Sequence, residues 1–212
     1  MLQNTKFRRF LRQPLSVLSV IFVLLGAFLY VRGEYAKSSQ SVNFASNQAA
    51  MREAMDVFQE GQTSGGNQLA SPDVKRIIGL LEAPSIGLSV MMVDYLSYSD
   101  LETAAARMTN SAPFGVSGQT VVTGHRTGFG QPFFDLDRLK VGATISVTLK
   151  DTSVLNYIVR DQKIVSPDAN LSEFDQSNSP SQLILVTCDP KYSTEYRLLV
   201  IAELSGDATE PA

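Results

Sequence analysis

The 212-residue sequence holds one histidine, His125 in the run TVVTGHRTGFG, and one cysteine, Cys188 in LILVTCDPKYSTEYR, with Arg197 nine residues further on. Those side-chain types could supply a thiol nucleophile, a partner that moves its proton and a cation that stabilises developing negative charge. A thiol attacks well only as thiolate, and its free pKa of about 8.5 falls beside an imidazolium or a guanidinium. The plainer alternative makes Cys188 a small buried hydrophobe, His125 a satisfied core residue and Arg197 a solvated charge. Thr123 and Thr187 flank the reactive pair, where a place in a substrate groove competes with ordinary β-strand packing.

The elements that must position these residues read as strands. QTVVTG runs into His125 and LILVT runs into Cys188, so both lie at strand ends, where a rim of side chains meets an approaching substrate. Arg197 opens the next run, YRLLVIAEL, after a turn containing Asp189 and Pro190. A hairpin there sets strands about 4.8 Å apart and returns Arg197 beside Cys188, with Asp189 read as a turn former. RIIGLLEA, IGLSVMMVDY, ATISVTLK and VLNYIVRDQKIV are further short β-like runs between Gly, Pro, Asp, Asn and Ser, and together they predict an all-β sandwich or closed barrel. One helical insertion is expected at 100–107, where Ser99 and Glu102 are spaced as a capping box ahead of LETAAAR. A polar loop from Ser166 to Ser181, acidic through Asp168, Glu173 and Asp175, has the length of a binding loop. Asn170 in it begins an N-x-S pattern of low specificity.

Ahead of the β-rich part lies a different kind of sequence. Residues 1–13 form a basic tail, and 14–31 (PLSVLSVIFVLLGAFLYV) are uncharged and overwhelmingly apolar, long enough to nearly match a hydrocarbon core of roughly 30 Å. Lys6, Arg8, Arg9, Arg12 and Arg32 are unaccompanied by any acid through residue 32, so the positive-inside rule keeps the N-terminus cytoplasmic and exports the remainder. A cleaved signal peptide has the same layout, but the run is long for one and YVRGEYAKS offers a poor cleavage site. Residues 32–73 read as a stalk, with a helix at 47–60 that places Met51, Met55 and Phe58 on one face and ends at Gly61, then a linker at 61–73. The compact domain is expected at 74–205, with a tail at 206–212. The part after residue 32 keeps 13 of the 18 basic residues against all 21 acids, a balance that argues against nucleic-acid binding through a basic patch. An exported chain with a single cysteine has no internal disulfide, which leaves the thiol to be explained. One His and one Cys also argue against metal catalysis, and no cofactor is expected.

The blocks TVVTGHRTGFGQPFFDLDRLKVGATISV and LILVTCDPKYSTEYRLLVIAEL resemble the sortases, membrane-anchored cysteine transpeptidases of bacterial surfaces, and a looser likeness runs from about Arg76 to Leu204. The resemblance implies an eight-stranded β-barrel with one or two short helices behind a transmembrane helix and stalk. It implies that Cys188 attacks the Thr–Gly carbonyl of a Leu-Pro-x-Thr-Gly-like sorting motif on a surface protein to form a thioacyl enzyme. His125 would move protons on the leaving glycine and the incoming amine, and Arg197 would hold the oxyanion or the substrate backbone. The acceptor would be an amine of the cell-wall precursor, such as lipid II peptide, or a pilin lysine. HRTGFGQPF is similar to the housekeeping-like class E enzymes, whereas FFDLDRL and RLLV occur among class C pilin polymerases; the balance favours class E. The second histidine of many relatives, their Gly-Asn, the Asp-Pro-aromatic lid and a second span after Leu204 have no counterpart here. Pilin polymerisation is the alternative activity, and a catalytically silent extracellular binding module is the alternative from another class.

Overall fold

A computed structural model of the chain describes residues 5–63, 76–169 and 180–206, with side chains described at 18–61, 76–169 and 180–206. Most of the linker expected at 61–73, residues 170–179 of the long acidic loop, Asn170 included, and the tail beyond 206 lie outside the described residues. Eight strands close into a barrel: β1 (Ile77–Ala83), β2 (Leu88–Tyr95), β3 (Ala105–Met108), β4 (Gln119–Thr123), β5 (Thr144–Leu149), β6 (Val154–Val165), β7 (Gln182–Asp189) and β8 (Tyr196–Leu204). Their order around the barrel is β1-β2-β3-β4-β7-β8-β6-β5, and β5 returns to β1. The pairs β2–β3 and β4–β7 are parallel and the others antiparallel.

Alternation along each strand divides the apolar residues between two faces. Leu81, Val90, Met92, Val122, Ile145, Tyr157, Val159, Leu183, Leu185, Leu198 and Val200 fill the interior. Ile184 and Val186 point the other way and pack with Val121 and Leu199, flanked by Met108 and Val165. Each fully buried Leu, Ile, Val or Phe contributes about 1.5–3 kcal/mol, so a closed interior of this size accounts for the short strands holding together.

The helix expected at 100–107 is not formed. A 3-10 turn occupies Tyr98–Glu102, with Ser97 and Asp100 rather than Ser99 and Glu102 in the capping-box positions, and Ala105–Met108 form β3. Alanine favours helix, but Ala104, Ala105 and Ala106 are fully buried and β3 pairs with β2 on one side and β4 on the other; barrel closure outweighs local propensity. Asp100 organises the turn by accepting from the N–H groups of Leu96 and Ser97, each at 2.8 Å, and from Arg76. Burial raises its carboxyl pKa, but the Arg76 and backbone hydrogen bonds outweigh that and hold it below the ordinary value of 3.8. Its stabilisation is therefore complete above the unfolded-state pKa and is lost as pH falls through the lower folded one. Asp100→Asn is expected to cost about 1–2 kcal/mol at pH 6. Thermal melts compared at pH 6 and pH 2.5 should show the gap to the unsubstituted chain closing in acid; a gap independent of pH would refute the assignment.

The N-terminal region differs from expectation in one respect. A single helix, α1, runs Thr5–Thr63 without stopping at Gly61. It contains a segment long and apolar enough to cross a membrane, none of it buried. Residues 41–63 belong to the same compact unit as the barrel: Met55 is buried with Ile77 and Met91, Met51 packs beside it, and Lys150 sits 4.9 Å over the Phe58 ring. The Met and Phe face of the stalk helix thus packs against the domain.

Candidate active site

Strand register alone brings the three reactive residue types together. In β7 and β8, Cys188 pairs directly with Arg197. Along β4 and β7, Gln119 pairs with Gln182 and Thr123 with Val186, and extending that constant offset past the end of β4 sets His125 opposite Cys188. Two hydrogen bonds extend the match beyond the strand: Gly124 N–H donates to Val186 O at 3.2 Å and Thr187 Oγ1 donates to Gly124 O at 2.8 Å. Cys188 therefore stands on the middle of three adjacent strands, with the histidine turn on one side and Arg197 on the other. In phase with Ile184, Val186 and Leu199, Cys188 and Arg197 project from the outer face of the sheet. The site is built on that wall rather than in the mouth of the barrel.

His125, Cys188 and Arg197 line one cleft of about 440 Å³, together with Thr123, Thr187, Tyr98, Phe129, Tyr192 and Thr194. Thr123 is half-buried at its edge, whereas Thr187 is buried with its hydroxyl on Gly124. The imidazole is clasped between rings: Phe129 stacks on it at 5.0 Å and Tyr98 meets it edge-on at 5.7 Å. Burial in this clasp lowers the His125 pKa below 6.5, against a smaller opposing pull from Glu102. Its Nε2 is buried and makes no hydrogen bond among the described residues. Arg197 directs Nη1 to the carbonyls of Thr194 and Tyr196, each at 3.0 Å, which fixes the guanidinium against the β7–β8 turn. Such a cleft can ionise a thiol toward a neutral imidazole and place a cation on the far side of the sulfur.

Sequence reading missed the group that locks the site. Arg126, 3% exposed, forms an ion pair with Asp189, donates to Cys188 O at 3.2 Å and reaches Asp137 at 3.0 Å. The residue after the histidine thus grips the residue after the cysteine, and Asp189 serves as more than a turn former. The signal was a pair of opposite charges at equivalent offsets from His125 and Cys188, legible only once the two strands are known to be neighbours.

Two glycines and a bent loop explain the TGH…GFG pattern. A Cβ on Gly124 would lie 2.9 Å from the Phe133 ring, so the turn closes on that ring only without a side chain. Phe129, Gly130 and Gln131 all take positive φ, at 46°, 72° and 54°, and the two non-glycine residues there cost about 1–2 kcal/mol each. The surrounding packing holds them, with Phe133 N–H on His125 O at 3.1 Å.

Several known proteins are similar to this chain in sequence or in fold. The family model described as Sortase domain matches residues 81–205, more than half of the chain. Sortase SrtE1 of Streptomyces coelicolor is 26% identical over 195 residues, covering 87% of this chain and 53% of that protein. The chain thus spans about half the length of that curated relative. A sortase D5 transpeptidase of Clostridium perfringens superposes with a TM-score of 0.60 at 22% identity, over 78% of this chain and all of that one. Sortase C1 of Streptococcus agalactiae superposes with a TM-score of 0.59 at 22% identity, over 75% and 90%. At those identities the two structures share the fold.

Proposed function

The chain belongs to the sortase family, and on that premise we propose that it is a membrane-anchored cysteine transpeptidase acting on surface proteins. The observation that carries this reading is the placement of His125, Cys188 and Arg197 on adjacent strand ends lining one cleft. Cys188 Sγ adds to the Thr–Gly carbonyl of a Leu-Pro-x-Thr-Gly-like motif; the carbon–nitrogen bond breaks, the glycine amine leaves with a proton, and a thioester joins enzyme and substrate. An acceptor amine then attacks the thioester and the thiol is regenerated. The acceptor is an amine of the cell-wall precursor, in keeping with the class E likeness around His125. The basic tail supports a cytoplasmic N-terminus with the barrel outside the cell membrane.

Because burial lowers the His125 pKa, the imidazole is mainly neutral at pH 7. It enters as the base for the thiol and delivers the same proton to the leaving amine, a contribution of about 10²–10⁴ in rate. Raising pH through its pKa converts imidazolium to the base form, so kcat/KM is expected to climb and level off by about pH 7. The acid-side inflection should fall below 6.5; one clearly above it would contradict a buried, mainly neutral histidine. Arg197 holds the developing oxyanion, a role worth about 10²–10³ in kcat.

The decisive test incubates the full chain in detergent micelles with Leu-Pro-x-Thr-Gly and Leu-Ala-x-Thr-Gly peptides, with and without an amine acceptor. Mass spectrometry should find the acyl part joined to the amine. Joining only to a pilin lysine would move the reading to pilin polymerisation. The absence of cleavage, together with resistance of Cys188 to alkylation, would support a silent binding module.

A further inference from the structure

Two residues of α1 contact the segments that carry the two walls of the histidine clasp. Phe44 is buried, and its ring lies so close to Gly130 that a Cβ there would come within 2.1 Å of it. Gly130 adjoins Phe129, which stacks on His125. One helical turn later, on the same face, Gln48 is buried and uses both ends of its amide. Nε2 donates to Thr103 O and Oε1 accepts from Met91 N–H, each at 2.7 Å. Thr103 caps the 3-10 turn that carries Tyr98, the other wall. The loop on Phe44 is the one with four consecutive positive-φ residues, Gly128 to Gln131, and its two non-glycine members hold that conformation only where neighbours impose it.

We propose that Phe44 and Gln48 are positioning residues for the proton-transfer step, holding Phe129 and Tyr98 at the spacing that fixes the His125 ring. The stretch between the apolar segment and the barrel is then part of the support of the site and not merely a spacer. This rests on the transpeptidase reading for its rate consequence and on geometry alone for its effect on the ring. Besides the two aromatic walls, the ionisable groups acting on the imidazole or lining its cleft among the described residues are Glu102, Arg126, Cys188, Arg197 and Tyr192. None of them comes from α1, so a change in α1 reaches His125 through position.

Because the chain has one histidine, its ring signals in NMR belong to His125 and can be titrated in the full chain in micelles. Phe44→Ala is expected to raise the ring's titration midpoint toward 6.5 as water enters the clasp. It should also lower kcat by about tenfold or more with KM within about threefold, as misplacement of a catalytic group does. Phe44→Leu should recover most of both. Met55→Ala, which empties a buried site against Ile77 and Met91, should lower the melting temperature without moving either readout. A folded Phe44→Ala with unchanged midpoint and kcat overturns the proposal, as does an equal loss of kcat in Met55→Ala. If Phe44→Ala does not fold, Gln48→Met decides: a shifted midpoint and a lowered kcat in the same direction support the proposal, and behaviour like the unsubstituted chain overturns it. If no variant, nor the unsubstituted chain, transfers peptide, the functional reading fails while the titration still decides the positioning role.

Discussion

Replacing Cys188 with alanine is expected to abolish both the covalent adduct and amine transfer, a loss on the order of 10⁶-fold, as when a nucleophile is removed from a unit that works only when complete. The fold should survive. Cys188 is only half-buried on the outer face of β7, so losing its sulfur leaves the barrel interior intact and costs within about 0.5 kcal/mol. Loss of activity with an unchanged melting temperature assigns the chemistry to the thiol. Full retention of transfer would sink the covalent mechanism and leave Cys188 as a packing residue. Arg197→Lys offers a graded companion, because lysine keeps the charge but not the guanidinium, whose Nη1 meets both the Thr194 and Tyr196 carbonyls and leaves its other N–H groups for substrate.

Arg126→Ala is expected to fail in two ways that a single measurement would confuse. Removing one partner of a buried ion pair leaves the other charge desolvated, at a cost of about 3 kcal/mol. Arg126 is almost fully buried and Asp189 is 17% exposed, while Asp137 is open enough to rehydrate. Activity should fall by a further 10²-fold or so even at a temperature where the variant stays folded, since the histidine turn loses its grip on the cysteine strand. The unpaired Asp189 carboxylate would also oppose formation of a thiolate on the residue before it. Adding Asp189→Asn to Arg126→Ala separates the causes: partial recovery of rate is expected if the carboxylate is the harm. If Arg126→Ala melts and turns over like the unsubstituted chain, the clamp has no role.

Much of the barrel was legible because its strands obey simple periodicity. QLILVTCD and YRLLVIAEL carry apolar residues on both faces, as strands covered on two sides must, and a hairpin at Asp189–Pro190 was enough to set Arg197 beside Cys188. β3 was illegible for the opposite reason. AARM spells helix by propensity, and only its burial between β2 and β4 makes it a strand. The continuity of α1 was hidden because the polar residues at 34–45 carry no apolar period, although nothing in them stops a helix already begun.

By itself the sequence determined the candidate reactive groups, one thiol, one imidazole and a guanidinium at strand ends, and the apolar segment that precedes them. These are local properties, set by residue type and by periods of two and about four. Tertiary structure alone decided that the site lies on the outer wall of the sheet, that Arg126 clamps Asp189, and that Phe44 and Gln48 reach the segments carrying the rings around His125. Each of those contacts joins residues 43 to 86 positions apart, and no local propensity encodes a pairing at that distance. They exist because closing the barrel sets β4 beside β7 while α1 packs against β1, β2 and the loop at Gly130, after which charge pairing and ring packing select the side chains that meet.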